Sequence, residues 1–476
     1  MIARRLHQLG LLLFAAAIIA LGFFQLFMRL QNSFPTNYLV LLTVTLATFV
    51  VFWLVLSTIH PYATDVILPC VLLLCGIGII MIARIDNQKS LLRGVSSNVG
   101  INQIVWLILG LLLCTILVAF LKDYRMLRRF SYLSMVVGLA LLLSPMIPGL
   151  GVENYGARIW ISIAGRQLQP AEFAKLFLAF FFASYLFDHR DQLAVGGRKF
   201  LGIRLPRLQD LGPILIVWII CMGVLVVQHD LGTSLMFFAM FVSMLYVATG
   251  QTSWLLIGGG FFVVGAVAAS SIFSHVGNRI TDWLHPFDPE VYNAVGGSFQ
   301  LVQGIFGLAT GGLLGTGLGQ GHPTATQFAE NSDFIYSSLG EEIGMAGLFV
   351  LLALYLVIIT AGMVAAMKIK DGFGKLLASG LVFTMAFQVF TVVGGITLVI
   401  PLTGLTLPYV AAGGSSLIAN LVLAALLLII SSAANKPEED LSSDTFQYEA
   451  LMAIREKEKE NVQNRAALTA EGAQHE

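Results

Sequence analysis

Residues 338–366 read SLGEEIGMAGLFVLLALYLVIITAGMVAA, and the only charged side chains, Glu341 and Glu342, stand near the start of this stretch. A helix needs about 20 apolar residues to cross the roughly 30 Å hydrocarbon core of a bilayer. Backbone N–H and C=O groups find no water there, so such a segment must be helical. The stretch therefore predicts a membrane-spanning helix.

Eleven further segments share this apolar character: 9–28, 38–58, 65–84, 102–121, 131–148, 171–188, 211–229, 231–250, 253–273, 376–399 and 416–434. The 476 residues are 57% hydrophobic and 11% charged, whereas soluble domains carry about a quarter charged residues. The net charge is zero, so the chain has no excess of positive charge that would attract nucleic acid. The sequence thus predicts an all-α, polytopic membrane protein of about twelve transmembrane helices, surrounded by membrane lipids and with no nucleic-acid partner.

The distribution of Lys and Arg predicts the orientation, because cytoplasmic loops carry an excess of these residues. With the N-terminus in the cytoplasm, fourteen basic residues before the C-terminal tail fall in inside loops and seven in outside loops. The exception is one outside loop that contains Arg84, Lys89 and Arg93. We therefore expect both termini to be cytoplasmic.

Three segments between or after the spans are unusually long. Two lie outside, at about 149–170 and about 274–337, and loops of this length are usually functional or disordered. The second is rich in glycine, aromatic residues and glutamine, so we expect it to fold back over the helices. The charged tail at 435–476 is predicted to be cytoplasmic, as a solvated helix or a disordered segment.

Ionisable residues within membrane spans are costly and indicate function unless a structural partner explains them. Glu172 and Lys175 begin the sixth span, and their i, i+3 spacing places them on one helix face. They can form a structural pair or take part in substrate binding. Asp230 precedes Leu231-Gly232-Thr233 and can cap a helix N-terminus or serve chemistry.

Asp333 stands just before the tenth span, in the sequence Asn331-Ser332-Asp333-Phe334-Ile335-Tyr336, with no basic neighbour within several positions. It can also be an N-cap, but it is the carboxylate that a structural role explains least well. Glu341 and Glu342 are adjacent and cannot share a helix face. At most one of them is therefore expected to reach any given pocket.

The outside segment at about 149–170 contains Gly156-Ala157-Arg158-Ile159-Trp160-Ile161. Arg binds phosphate oxygens bidentately, so Arg158 beside Trp160 suits a lipid pyrophosphate or a sugar. Interface anchoring explains Trp160 equally well. Glycine runs at 311–319 and 413–414 are not followed by Gly-Lys-Ser/Thr, so they favour tight turns and close helix approach over phosphate binding.

Taken together, and in the order in which they occur along the chain, these motifs resemble those of the SEDS family (shape, elongation, division and sporulation), which includes FtsW, RodA and SpoVE. The family core has ten spans, so the resemblance divides the chain into an additional transmembrane pair at 1–64, a core at 65–434 and the tail. The added pair resembles a RodA-type subgroup. The stretches that carry the resemblance are 156–161, 169–175, 230–233, 299–301, 311–319, 333–344 and 401–416.

The resemblance implies a peptidoglycan glycosyltransferase that polymerises lipid II on the outer face of the cytoplasmic membrane, for elongation or division, beside a class B penicillin-binding protein. The family's essential aspartate corresponds to Asp333. We expect this carboxylate to act as the base of a single inverting displacement. Leaving-group charge would be met by Arg158, with Lys175 and a divalent cation, Mg²⁺ or Mn²⁺, as further candidates. The expected substrate-binding residues are Arg158, Trp160, Glu172, Lys175, Gln300, Ser332, Glu341 and Ser415.

Two other functions fit the membrane topology. A flippase or transporter of the lipid-linked precursor would use the same charges for alternating access, although no inverted repeat with paired broken helices is evident. A non-catalytic scaffold of the cell-wall synthesis complex would leave Asp333 replaceable.

Overall fold

The computed structural model describes residues 2–31, 34–94, 97–154, 157–163, 165–194, 199–200, 203–204 and 208–437. Gly156 and most of the predicted tail, 438–476, lie outside this part of the chain. The described N-terminal half forms seven helices: α1 (Ile2–Gln31), α2 (Thr36–Ile59), α3 (Ile67–Arg93), α4 (Val99–Phe120), α5 (Met126–Arg129), α6 (Ser131–Leu143) and α7 (Pro170–Ala194).

Nine more helices follow in the described residues, and they include the short helices of the long segment before the last three spans. They are α8 (Leu208–Val227), α9 (Leu231–Thr249), α10 (Ser253–Ile272), α11 (Ser274–Leu284), α12 (Pro289–Asn293), α13 (Phe299–Gly311), α14 (Ile335–Lys368), α15 (Gly372–Ile396) and α16 (Gly414–Ala434). Two 3₁₀ turns complete the helical structure, at Ser144–Met146 and Pro323–Thr326.

Every predicted span coincides with a helix. In the described residues ten helices are long and apolar enough to cross a membrane. The two other predicted spans, at 131–148 and 211–229, correspond to α6 and α8, whose qualifying apolar stretches are shorter. The chain is thus a multi-pass helical membrane protein, as its composition predicted.

Two small antiparallel sheets, which the apolar pattern of the sequence does not predict, connect the helices. The segment before α7 forms β1 (Gly151–Asn154), β2 (Ala157–Ile163) and β3 (Arg166–Leu168), in the order β1-β2-β3. The β2 sequence ARIWISI is rich in β-branched and aromatic residues, which favour strands. Between α7 and α8, β4 (Lys199–Phe200) pairs with β5 (Ile203–Arg204).

Helices α3, α7, α15 and α16 form the centre of the bundle, and most of their residues are buried. Helix α10 lies at the periphery, and most of its residues are exposed. Exposed apolar surface of this extent is normal where lipid, and not water, surrounds the helix. The central helices therefore provide the rigid frame on which the loops at each end are held.

The long segment before α14 does fold back over the helices. Trp283 of α11 donates a hydrogen bond to the carbonyl oxygen of Leu398 (2.8 Å), just after α15. The chain after α13 then runs along the first turns of α14, which is interrupted at Gly344, where φ is 67°. There the backbone N–H of Met345 donates to the carbonyl oxygen of Gly312 (2.9 Å).

Two basic residues that departed from the predicted charge bias are paired with acidic residues near α14. Arg84 Nε lies 3.0 Å from Glu342 Oε1, and Lys89 Nζ lies 2.8 Å from Glu330 Oε1. Arg84 also donates to the carbonyl oxygen of Gly321 (2.9 Å). These cations of α3 are therefore neutralised within the fold and hold the segment before α14 in place.

Gly344→Ala tests the interruption of α14. A Cβ at this position would overlap the backbone nitrogen of Gly315, and alanine disfavours a φ of 67°. We expect a loss of stability of about 2 kcal/mol or more, measured as a lower thermal midpoint of the monodisperse protein in detergent.

The matched control for this variant is Gly260→Ala in α10, where an added Cβ meets nothing within 4 Å. Alanine in a helix interior should leave stability unchanged or raise it, since it lowers the backbone entropy lost on folding. Equal midpoints for Gly344→Ala and the unchanged protein would show that the close approach of the two segments does not matter.

Candidate functional site

Asp333 lies in a turn immediately before α14, and contacts from several elements hold that turn. The N–H of Phe334 donates to the carbonyl oxygen of Ala329 (3.0 Å). The N–H of Ala412, in the loop before α16, donates to the carbonyl oxygen of Asn331 (2.8 Å). Asp333 is therefore fixed at the junction of the long segment, α14 and the loop between α15 and α16, and it does not act as the N-cap, which is Phe334.

The side chain of Asp333 is half-buried next to Gly404 and Arg279. An ideal Cβ on Gly404 would lie 3.8 Å from Asp333 Oδ2 and 3.8 Å from both Nη atoms of Arg279. Arg279 is itself positioned by a 2.8 Å hydrogen bond from Nη1 to the carbonyl oxygen of Leu402. A carboxylate and a guanidinium thus converge on one glycine, where the missing side chain leaves room.

Burial raises the pKa of the Asp333 carboxyl to about 6, while the charge of Arg279 and a hydrogen bond from Ser332 lower it. The carboxyl is therefore mainly ionised at neutral pH, and its pKa lies close enough to physiological pH for the carboxylate to accept a proton. This is the pKa range that suits a general base.

Arg279 is a site residue that the sequence motifs do not include; in the sequence it is only one of the seven basic residues of the outside loops. One signal was available: Arg279 lies on α11, whose sequence SHVGNRITDWL alternates polar and apolar residues with helical spacing. The Leu402 carbonyl oxygen that accepts its hydrogen bond is 123 residues away in sequence, so only the tertiary structure brings the two together.

Asp230 is the N-cap of α9, as one of the two sequence interpretations predicted. Its Oδ1 accepts a hydrogen bond from the N–H of Thr233 (3.0 Å). Its Oδ2 is buried without a hydrogen-bond partner among the described residues. Burial raises the pKa of this carboxyl, Thr233 lowers it, and the charges of Glu172 and Arg279 act on it in opposite directions. Asp230 therefore belongs to the same electrostatic cluster as Arg279.

Glu172 and Lys175 form the expected pair, deep in the helix bundle. Lys175 is 1% exposed, and its Nζ lies 2.6 Å from Glu172 Oε2. The same nitrogen donates to Gln388 Oε1 (3.1 Å) and Asn420 Oδ1 (3.3 Å). An ammonium group has three N–H donors, so these partners occupy all of them. The geometry supports a structural role for the pair, which joins α7 to α15 and α16.

Arg158 and Trp160 lie on β2. The guanidinium of Arg158 is exposed, with Nε 3.4 Å from Oε2 of the equally exposed Glu153, while Trp160 is half-buried. The backbone N–H of Arg158 donates to the carbonyl oxygen of Gln228 (3.3 Å), two residues before Asp230. The sheet thus places an accessible arginine beside the junction of α8 and α9.

Three further residues predicted to bind substrate already have partners in the fold. Ser415 Oγ accepts from the N–H of Gln169 (2.9 Å). Gln300 Nε2 lies 3.4 Å from the carbonyl oxygens of Thr326 and Phe328. Glu341 is the third and is buried. That these side chains also contact substrate stays a prediction.

Glu341 and Glu342 reach the same segment, so the expectation that at most one of them could serve a given pocket is wrong. Glu341 Oε1 accepts from the N–H of His322 (2.7 Å), and Glu342 Oε2 accepts from the N–H of Gly319 (2.8 Å). The reason is that the glycine-rich segment crosses over α14 and meets both faces. The two carboxylates hold this segment, with Gly321 between them.

No group of three or more His, Cys, Asp or Glu side chains in the described residues could hold a metal ion. The charged neighbour that the structure gives Asp333 is the cation Arg279. The expectation of a divalent cation stays a prediction, since one carboxylate together with substrate phosphate oxygens can hold Mg²⁺, and no step proposed below uses it.

Comparison with known proteins identifies relatives of the membrane region that follows α2. A family model described as "Cell cycle protein", which covers FtsW, RodA and SpoVE, matches residues 64–436. Peptidoglycan glycosyltransferase RodA of Mycobacterium tuberculosis (strain ATCC 25618 / H37Rv) is 42% identical over 382 residues, which are 79% of this chain and 80% of that protein.

Two solved structures share the fold. A chain from the structure described as "Structural coordination of polymerization and crosslinking by a peptidoglycan synthase complex" is 25% identical, with a TM-score of 0.60 over 78% of this chain and 98% of that chain. The crystal structure of Thermus thermophilus rod shape determining protein RodA is also 25% identical, with a TM-score of 0.54 over 78% and 97%. With the family match and the 42% identity, these likenesses show that the chain belongs to the FtsW/RodA/SpoVE family.

Proposed function

We propose that this chain is a peptidoglycan glycosyltransferase, which polymerises lipid II into glycan strands on the outer face of the cytoplasmic membrane. Lipid II is the disaccharide peptide linked to undecaprenyl pyrophosphate. The family match and a relative named peptidoglycan glycosyltransferase RodA support the reaction. The observation that carries the site is the half-buried Asp333 carboxylate, held beside Arg279 at one end of the bundle.

In the proposed reaction the C4 hydroxyl of the acceptor GlcNAc attacks C1 of the donor MurNAc. The new O4–C1 bond forms as the bond from C1 to the pyrophosphate oxygen breaks, and undecaprenyl pyrophosphate leaves with the bonding electrons. The hydroxyl proton passes to the Asp333 carboxylate. Because the donor bond is α and the product bond is β, one inverting displacement is sufficient, and no covalent enzyme intermediate is needed.

Arg279 gives Asp333 the protonation state that this role requires. Burial alone favours the neutral carboxyl, which cannot accept a proton. The guanidinium, held in place by the carbonyl oxygen of Leu402, lowers the pKa and keeps the carboxyl ionised at neutral pH. Arg279 is thus a positioning residue that acts through Asp333.

We assign to Arg158 the role of meeting the charge of the leaving pyrophosphate, because its guanidinium is accessible to a ligand. Its only ion pair within the described residues is with Glu153, and both side chains are more than half exposed. Exposed ion pairs contribute little free energy, so a pyrophosphate can replace the carboxylate at small cost. Lys175, in contrast, has every N–H donor occupied in a buried network.

The proposed partner is a class B penicillin-binding protein, which cross-links the glycan that this chain makes. One structural neighbour was solved in work on polymerization and crosslinking by a peptidoglycan synthase complex. The bias of Lys and Arg towards one set of loops supports cytoplasmic termini and an extracytoplasmic site.

Asp333→Asn tests the assignment of the base. The amide keeps the shape of the side chain but cannot accept the hydroxyl proton, so we expect purified Asp333→Asn to fold and to form no glycan from labelled lipid II. General-base contributions are about 10²–10⁴-fold, which an electrophoretic polymerisation assay resolves. The matched control is Asp288→Asn in the same segment, an exposed residue that caps α12, and it should polymerise normally.

The same assay separates the rival functions. Retained polymerisation by Asp333→Asn would remove this residue from the chemistry. A flippase would move lipid II from one leaflet of a liposome membrane to the other and make no polymer. A scaffold would do neither, with or without a co-purified penicillin-binding protein.

The rate should depend on pH through the Asp333 carboxyl. Its ionised form is the base, so kcat/KM for polymerisation should fall as the pH is lowered through about 6. In Arg279→Gln the charge that lowers this pKa is absent, so the fall should begin at higher pH. Initial rates between about pH 5 and about pH 8 measure both effects. Arg166→Gln, on the exposed part of β3, is the control, and an identical profile for Arg279→Gln and Arg166→Gln would rule out the coupling.

The burial of the Glu172–Lys175 pair predicts that removing one charge destabilises the protein more than removing both. Lys175→Met leaves the Glu172 carboxylate buried without its cation, at a cost of about 3–5 kcal/mol. The double variant Glu172→Gln/Lys175→Met removes both charges and should regain most of the lost thermal midpoint in detergent. Asp65→Asn, which removes the more exposed His7–Asp65 contact, should change stability by less than about 1 kcal/mol. A double variant no more stable than Lys175→Met would contradict a structural pair.

A further inference from the structure

A cavity with an excess of basic residues lies at the end of the bundle opposite Asp333. Helix α14 extends for 34 residues from the Asp333 turn, about 50 Å at 1.5 Å per residue. Asp371 follows its far end and lines a cavity of about 390 Å³. This volume lies within the range of about 300–1,000 Å³ that small-molecule sites have. The glycosyl transfer proposed above does not use this cavity.

The charged residues of the cavity are three arginines and two aspartates. Arg128 forms an ion pair with Asp188, and Arg125 Nε lies 3.9 Å from Asp371 Oδ2. Arg129 also lines the cavity, is exposed, and forms no ion pair within the described residues. The residues that line the cavity therefore include one more guanidinium than carboxylate.

Ser184 of α7 provides the second observation. It lines the cavity, is 1% exposed, and its hydroxyl oxygen is buried with no hydrogen-bond partner among the described residues. The buried hydroxyl of Thr384 in α15, in contrast, donates to the carbonyl oxygen of Gly380 in the preceding turn (2.7 Å). A buried hydroxyl without a partner costs about 1–3 kcal/mol. An acceptor in the cavity would remove that cost.

The surface beside the cavity is apolar. Met126, Phe130 and Tyr132 are all exposed, and Tyr132 also lines the cavity. In a membrane protein such side chains face lipid chains. A ligand with an anionic head and an alkyl tail therefore matches both the cavity and its border.

We propose that this cavity binds the phosphate group of an anionic phospholipid. Guanidinium groups bind phosphate oxygens through charge-assisted hydrogen bonds, and the phosphate accepts the hydrogen bond that the Ser184 hydroxyl lacks. The acyl chains lie over Met126, Phe130 and Tyr132. The proposal is independent of the transferase chemistry, because it concerns the other end of the bundle.

Titration of the delipidated full chain in detergent tests the proposal, with bound lipid counted by native mass spectrometry. Phosphatidylglycerol should bind more tightly than phosphatidylcholine. Arg129→Gln should weaken phosphatidylglycerol binding about tenfold and Ser184→Ala about fivefold, as expected for the loss of one charged and one neutral contact. The controls are Lys122→Gln, an exposed cation on the same end outside the cavity, and Ser243→Ala, whose hydroxyl bonds to Met240. Neither control should change the affinity.

A second titration identifies the source of the phosphate. If inorganic phosphate or glycerol phosphate binds with the same dependence on Arg129 and Ser184 and phosphatidylglycerol does not, the lipid assignment is overturned and a soluble phosphate ligand replaces it. If no phosphate compound binds, or if the controls weaken binding as much as the cavity variants do, the cavity is not a phosphate site. Thermal midpoints measured in parallel show that each variant is folded.

Discussion

The contact between the glycine-rich segment 311–322 and the first turns of α14 is the constraint on which the site depends. Gly344 interrupts the helix, and the freed backbone N–H of Met345 bonds to Gly312. Glu341 and Glu342 accept hydrogen bonds from the same segment. Unpaired backbone groups at this depth would be costly, so the interruption is stable only with the segment in place. The turn that carries Asp333 follows this segment in sequence and leads directly into α14, and the loop before α16 holds it through the hydrogen bond from Ala412 to Asn331.

Two sets of opposite charges, Lys175 with Glu172 and Arg279 with Asp333, have different surroundings and therefore different roles. Lys175 and Glu172 are fully buried, and the lysine has no N–H donor left for a ligand. Arg279 and Asp333 meet beside Gly404, where no side chain fills the space. A saturated pair contributes to the frame of the bundle. An unsaturated carboxylate beside a cation, with its pKa raised to about 6, can accept a proton during a reaction.

The sequence alone indicated the site residues that are ionisable and stand in or beside an apolar span, because placing such a group in the membrane costs free energy. Asp333 and the Glu172–Lys175 pair are ionisable groups at the ends of apolar spans, and the structure gives each a distinct environment. Arg279 was not predicted, because an arginine in a long polar segment outside the spans can stay hydrated. Its position in the sequence therefore carries no free-energy penalty that would indicate a function. Ser415, Gln300 and Glu341 were proposed as substrate contacts from the resemblance, and their bonds to the backbone in the fold were not visible in the sequence.

The sequence by itself determined that the chain is a multi-pass helical membrane protein, because apolar runs about 20 residues long can satisfy their backbone groups in a bilayer only as helices. It also determined the family, through motifs whose order is specific although each is short. The tertiary structure alone decided which charges lie close together: it places Arg279 near Asp333 beside Gly404, and it pairs Arg84 with Glu342 and Lys89 with Glu330. The physical reason is that these residues come from segments far apart in sequence. Their distances depend on how the helices pack, and the hydropathy of the sequence does not determine that packing.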